Sequence, residues 1–262
     1  MKLDIEHCSL EKSRNTLLFL PAFPTTKDMY VNQIKLLREK KIPFIAVNYP
    51  GIGKSEKPQK IEMNVKELVE IIWSNISSLG FSKLIPVGTS MGGYVMFELW
   101  RQHRDRISGF VFCHTRPEAL DEEGRKRRLS DLEKINENLD EYLKSFTKNL
   151  VSDYTLQNRL EVVKFLEEIV KNTTKEGLSA LVYVIATRPD SRSLLGEINL
   201  PCLLLAGKDD KVVPISVMKE MANNLPNATL FELENVGHLS PLEVPEEFNT
   251  ILLSFLDGKN LI

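Results

Sequence analysis

Leu84-Ile85-Pro86-Val87-Gly88-Thr89-Ser90-Met91-Gly92 decides how this chain is read. The first four residues form a short apolar run of the kind found in buried strands, with Pro86 as the awkward member, because proline donates nothing to a sheet ladder. G-x-S-x-G follows, and residues 91–103 then carry helical patterning. A tight strand-to-helix turn holds its central serine in a strained backbone conformation, hydroxyl above the sheet edge. Gly88 and Gly92 remove side chains where strand and helix must approach closely. The Met91 N–H lies at a helix N-terminus, free to donate and assisted by the helix dipole. A plain glycine-rich turn has the same letters. The flanking strand and helix favour Ser90 as a nucleophile.

Outward from this turn the chain alternates. Residues 17–20, 44–47 and 109–113 read as further strands, with helices over 28–40, 64–79 and 91–103. This rhythm implies right-handed crossovers and a parallel sheet. From 117 to about 195 no strand is legible; 118–150 is charged and helix-prone, and 160–170 and 178–186 read as helices. Alternation resumes with a strand over 202–206, a helix over 215–225, a strand over 228–233 and a closing helix over 245–256. The expected organisation is one domain over 1–262: an α/β core of 1–116 and 196–262, with a helical lid insertion at approximately 117–195.

A serine hydroxyl needs a base, and the chain has 4 histidines. His7 precedes the first clear strand. His103 lies late in a helix that points away from the strand ends. His114 follows the strand over 109–113 and reaches the same rim as a candidate pocket residue. His238 follows the last strand, in Asn235-Val236-Gly237-His238-Leu239-Ser240, on the sheet edge that carries Ser90. It is the favoured base. The base needs an orienting carboxylate, and Gly207-Lys208-Asp209-Asp210-Lys211-Val212-Val213-Pro214 offers two, the other suiting a turn or helix cap. An oxyanion needs a second donor beside Met91. In Leu20-Pro21-Ala22-Phe23-Pro24 the prolines have no N–H, so Ala22 or Phe23 must supply it.

These motifs, in this order, resemble the α/β-hydrolase superfamily, in the small esterase-like branch that also holds cofactor-free haloperoxidases, lactonases and C–C hydrolases. The resemblance spans nearly the whole chain. Phe23 matches the family's oxyanion position, with Pro21-Ala22 where a His-Gly pair is usual. Asn48-Tyr49-Pro50-Gly51-Ile52-Gly53-Lys54-Ser55 resembles the D-x-x-G-x-G-x-S turn, Asn48 replacing Asp. Gly207-x-x-Asp210-x-x-x-Pro214 matches the acid motif and selects Asp210. Gly237-His238, with Glu243-Val244-Pro245 downstream, matches the histidine motif. The resemblance implies the α/β-hydrolase fold, a mostly parallel central sheet flanked by helices with a helical lid, and the triad Ser90, Asp210 and His238 with Phe23 and Met91 as oxyanion donors. The N-terminal strands usual in that fold are expected to be abbreviated. A serine at 90 excludes the dehalogenase and epoxide-hydrolase branches, which need a carboxylate there.

The expected reaction is hydrolysis of small carboxylic esters through an acyl-enzyme, with the rate falling at low pH as the base is protonated. C–C bond, lactone or perhydrolase chemistry on the same residues is the alternative; a non-catalytic ligand-binding protein of the same fold is a further one. No metal or organic cofactor is required. Lys+Arg (34) and Asp+Glu (36) nearly cancel, leaving a net charge of −2 and no reason to expect nucleic acid. The 3 cysteines, at 8, 113 and 202, suggest a reducing compartment. No signal peptide and no apolar run near the ~20 residues of a spanning helix is visible, so no membrane partner is expected and the cytoplasm is the expected location. A monomer or homodimer acting on a small-molecule ester is expected. The apolar positions of the insertion (Leu160, Leu178, Leu181, Val182, Val184) suggest packing against the core or an apolar acyl pocket. Arg116 is read as a pocket residue that binds a substrate carboxylate or pairs with the acidic insertion. The run 121–128 reads as a solvated helix face.

Overall fold

The computed structural model describes residues 1–8, 10–12 and 14–262. One sheet holds β1 (Ile5–Cys8), β2 (Thr16–Leu20), β3 (Phe44–Val47), β4 (Leu84–Thr89), β5 (Phe110–Cys113), β6 (Cys202–Gly207) and β7 (Ala228–Leu233). Their order is β1-β3-β2-β4-β5-β6-β7. All pairings are parallel except that of β1 with β3. Strands β2 to β6 are buried throughout, which is why they read as unbroken apolar runs. Strand β1 is the element that the pattern did not mark. Ile5-Glu6-His7-Cys8 is a partly exposed edge, and its place is set by the partner strand rather than by its own composition.

Pro86 fits the sheet because of where its missing N–H falls. The Leu84 carbonyl accepts from Ser108 N–H on the β5 side. By the two-residue period Pro86 faces that side too, and the ladder to β5 begins only at Val87. The chain leaves β2 towards β3, then crosses back to β4 on the other flank of β2. At such a reversal the loops after the two strands diverge and leave a crevice at the carboxyl edge. The register sets Leu20 beside Gly88, Thr89 beside Cys113 and Cys113 beside Leu205. The segments that begin at Pro21, Ser90 and His114 therefore leave the sheet next to one another.

Residues 117–195 carry helices and no strand. Leu178, Leu181, Val182 and Val184 are at most 1% exposed and pack into the interior, whereas Leu160 is 56% exposed. No helix among the described residues is long and apolar enough to cross a membrane.

The loop after β7 is fastened to the helical segment by one buried carboxylate. Glu243 Oε2 accepts from Ser152 N–H (2.9 Å) and Thr155 Oγ1 (2.8 Å). Oε1 accepts from Gly237 N–H (3.0 Å) and Leu239 N–H (3.1 Å), the two residues that flank His238. His238 N–H in turn donates to the Leu150 carbonyl at 3.0 Å. Gly237 is required here, because a Cβ on it would lie 2.4 Å from the Ser152 nitrogen.

Two substitutions test this packing. A Cβ on Gly92 would sit 2.2 Å from the Leu20 carbonyl oxygen, a backbone atom of β2, whereas one on Gly196 meets nothing within 4 Å. Gly92→Ala should destabilise by about 2 kcal/mol or more, and Gly196→Ala by well under about 1 kcal/mol, in urea unfolding. Glu243→Gln places an amide donor among N–H and O–H donors and should lower stability by about 2–3 kcal/mol in the same assay.

Candidate active site

Ser90 follows β4 and precedes the helix Met91–His103, with φ 54° and ψ −111°. This conformation is strained for a residue with a Cβ, by about 1–3 kcal/mol, and persists only where the surroundings impose it. They do so through backbone contacts. Ser90 N–H donates to the Cys113 carbonyl (2.9 Å), and its own carbonyl accepts from Gly93 N–H (2.9 Å) and Thr115 Oγ1 (2.7 Å). Gly88 and Gly92 lie so close that a Cβ on Gly88 would be 2.6 Å from the Gly92 carbonyl carbon. The Ser90 side chain is half-buried at the carboxyl edge.

The loop after β2 lacks the His-Gly pair of the resembling family, and other groups hold it. Tyr49 Oη donates to the Pro21 carbonyl (3.1 Å), and Thr25 donates to the Ala22 carbonyl through N (2.8 Å) and Oγ1 (2.7 Å). Ala22 N–H points at Met29 Sδ, 3.2 Å away. This separates the two donors that sequence left open: Ala22 is engaged, while neither Phe23 N–H nor Met91 N–H is taken by another group among the described residues. Asn48, in the place of an Asp, accepts Lys27 N–H on Oδ1 (2.6 Å) and donates to Asp4 Oδ2 (2.8 Å). The carboxylate that the turn motif lacks thus arrives from Asp4, beside β1.

Asp210 follows β6 and is fully engaged. Its Oδ1 accepts the amides of Val212 (2.8 Å) and Val213 (2.9 Å). Its Oδ2 accepts two imidazoles, His238 Nδ1 at 2.8 Å and His114 Nδ1 at 3.1 Å. Burial alone raises a carboxyl pKa, but the two histidines outweigh it and hold Asp210 well below the ordinary carboxylate value. Asp209 takes no part in this arrangement; its N–H donates to the Val236 carbonyl.

The second histidine on Asp210 is a feature the sequence does not reveal, since His114 reads there as a pocket residue or a rival base and not as a second partner of the carboxylate. It is fully buried, with φ 49°, and both its ring nitrogens are engaged. With Nδ1–H donating to Asp210, Nε2 accepts from Ser240 Oγ at 2.8 Å. The ring of His114 lies 5.7 Å from that of His238. His238 differs in one respect: its Nε2 is buried and has no hydrogen-bond partner among the described residues. Of the two imidazoles on this carboxylate, His238 alone has a ring nitrogen open to accept a proton. The remaining histidines lie elsewhere, His7 on the exposed strand β1 and His103 stacked on Trp73 at 3.8 Å. Ligand atoms of His114, Asp210 and His238 lie within 4.8 Å of one another, a spacing open to a metal ion. The amides and imidazole N–H groups already engage both carboxylate oxygens, so the hydrogen-bonded arrangement accounts for the cluster.

Cys113 and Cys202 are buried in β5 and β6, and burial raises both thiols, that of Cys202 to about 12, so neither is a nucleophile near neutral pH. Arg116 makes no ion pair with the helical segment; its Nη2 donates to the Val212 carbonyl at 2.9 Å. It lines a cavity of about 390 Å³ with Tyr94, Arg128, Phe146 and Arg188. The run 121–128 is therefore not wholly a solvated face. Lys126 and Glu122 pair on the exposed side, but Arg128 turns inward, 5.6 Å above the ring of Phe23.

The chain as a whole is similar to known proteins. A 2-hydroxy-6-oxononadienedioate/2-hydroxy-6-oxononatrienedioate hydrolase of Burkholderia vietnamiensis is 27% identical over 231 residues, covering 81% of this chain and 75% of that protein. An uncharacterized hydrolase of Bacillus subtilis, YugF, is 25% identical over 257 residues, covering 93% and 90%. The structure of a thermophilic esterase from Thermogutta terrifontis, with malate bound, superposes with a TM-score of 0.90 at 26% identity, covering 98% of this chain and 93% of that one. The alpha/beta hydrolase fold family matches residues 15–245, so with its mostly parallel sheet and its serine turn after β4 this chain belongs to the alpha/beta hydrolases.

Proposed function

We propose that the protein is a serine hydrolase of small carboxylic esters, with Ser90 as nucleophile, His238 as general base and Asp210 as the carboxylate that orients it. The observation that carries this reading is a strained serine at a helix N-terminus, on the sheet edge that also bears an imidazole whose Nδ1 is tied to a carboxylate and whose Nε2 is open. His238 Nε2 takes the Ser90 proton as Oγ attacks the ester carbonyl, and the amides of Phe23 and Met91 receive the oxyanion. His238 then gives that proton to the departing alcohol, and water activated by the same nitrogen releases the acid from Ser90. Asp210 fixes the Nδ1–H tautomer and stabilises the imidazolium. Ser90 and His238 are not hydrogen-bonded in this conformation, as is common before substrate binds. The helices of 117–195 act as the lid, facing the carboxyl edge and supplying most of the cavity beside it.

A C–C bond or lactone hydrolase using the same residues is the second reading, favoured by the name of the Burkholderia vietnamiensis relative. Cleavage of that kind needs no different triad, so substrate trials separate the two.

A fluorophosphonate should label wild-type protein at Ser90 and leave Ser90→Ala unlabelled, as read by mass spectrometry of the tryptic peptide. p-Nitrophenyl esters of graded acyl length should turn over, with Ser90→Ala slower by about 10⁴–10⁶-fold. A folded wild type that neither labels nor cleaves any ester would sink the serine-esterase reading. Asp210→Asn should lower kcat by about 10³–10⁴-fold by upsetting the His238 tautomer. Its stability effect has a sign. Because the folded pKa of Asp210 lies below its ordinary 3.8, the stabilisation is present above pH 3.8 and is lost as pH falls below it. Wild type should therefore lose stability steeply in that acidic window, and Asp210→Asn, weaker at pH 7, should lose less, by urea unfolding at each pH.

A further inference from the structure

The cavity beside the site carries, within a partly apolar wall, a concentration of charge that an acyl pocket does not require. Its lining cations are Arg116, Arg127, Arg128, Lys134 and Arg188, against the single lining carboxylate Asp131. Asp131 pairs with Arg128 Nη1 and with Lys134 Nζ, each at 3.0 Å. Arg116, Arg127 and Arg188 make no ion pair with a carboxylate among the described residues. This concentration of positive charge lies in a chain whose net charge is −2.

Arg188 is the most telling of the group, at 5% exposed. Its guanidinium stacks 4.3 Å from the centre of the Tyr94 ring. Nε donates to the Glu118 carbonyl (2.9 Å) and Nη1 to the Ile185 carbonyl (2.8 Å). Nη2 has no hydrogen-bond partner among the described residues, and Arg188 lines the cavity. Burial lowers its pKa, and the charges of Arg116 and Arg128 lower it further, against Tyr94 and Glu118. Glu118 acts on it only through its charge, without an ion pair, and its Oε2 is buried without a hydrogen-bond partner among the described residues. Guanidiniums massed this way oppose one another in the folded protein, and the arrangement becomes favourable when an anion is held between them.

The cavity belongs to the site. Tyr94 lies four residues after Ser90, in the first turn of the helix that follows it, about 6 Å along its axis. Val212 and Val213, also in the wall, are the residues whose amides hold Asp210. The Arg128 guanidinium sits 5.6 Å from the Phe23 ring and 5.5 Å from that of Phe146. We propose that Arg116, Arg128 and Arg188 form an oxyanion-binding subsite, so that the preferred substrates are esters carrying a second group that is a carboxylate or a phosphate. This rests on the serine-hydrolase reading for the chemistry, but not for the binding.

Binding to Ser90→Ala protein, measured by calorimetry, tests the subsite without turnover. The probes are monomethyl adipate, butyl phosphate and, as the neutral control, dimethyl adipate. At least one anion should bind about tenfold or more tighter than the control, the scale of one hydrogen bond to a charged group. Which anion binds tighter names the source. The preference should shrink in about 0.5 M NaCl and fall below about twofold in Arg188→Gln and in Arg128→Gln. The second variant stands in should loss of the Arg188 backbone contacts unfold the first, which thermal unfolding reports. Dimethyl adipate binding as tightly as both anions, or a preference that survives in a folded arginine variant, overturns the proposal. Fluorophosphonate labelling of wild type reads the serine chemistry separately, so a failed subsite and a failed hydrolase give different results.

Discussion

At Ser90 the backbone passes from strand to helix through a conformation that residues with a Cβ rarely adopt, and much of the molecule is arranged to make that passage possible. The helix must start while still in contact with β4 and β2. That demands glycine at 88 and 92, where any side chain would strike backbone. It also demands an acceptor for the Ser90 N–H, which β5 provides through Cys113. Pairing with β2 and β5 on either side then fixes which loops border the serine. The sheet order is thus a functional matter: it places the loop after β2, the serine turn and the loop after β5 side by side.

The histidine and aspartate loops meet these constraints from the other half of the chain. Asp210 is held by two amides and two imidazoles, so its position does not depend on a single contact. His114 matters here in a way distinct from His238. It completes the hydrogen bonding around Oδ2 and has no open nitrogen of its own. Asp210 and His238 lie in a buried neighbourhood, and the cations of the adjoining cavity lie a few residues further out.

Sequence showed most of this fold because its strands are buried on both faces and its helices carry long apolar stripes. Strand β1 was illegible for the converse reason: as an edge it needs neither. Ser90 and His238 were legible from chain position and the turn around them. Asp209 and Asp210 were not separable by position alone, since a side-chain direction decides between them, and only the resemblance to the family's acid motif distinguished them. The same holds for Ala22 and Phe23, separated by a sulfur atom seven residues downstream. Arg128 and Arg188 carried no legible signal. Arg128 sits in a charge-rich helix and Arg188 in the loop after an apolar one, and which charge turns inward depends on how these segments pack, something no local pattern states.

The buried Glu243 has a consequence for how such a protein can be recombined. The helical segment looks like a cassette with natural joints near 117 and 195. Yet Ser152 and Thr155 on one side, and Gly237 and Leu239 on the other, share a single acceptor. A chimera that takes 117–195 from a relative inherits half of a hydrogen-bonded junction and must find the matching half already present in its host. The effective unit of exchange is therefore two stretches distant in sequence, 150–155 and 235–243, transferred together.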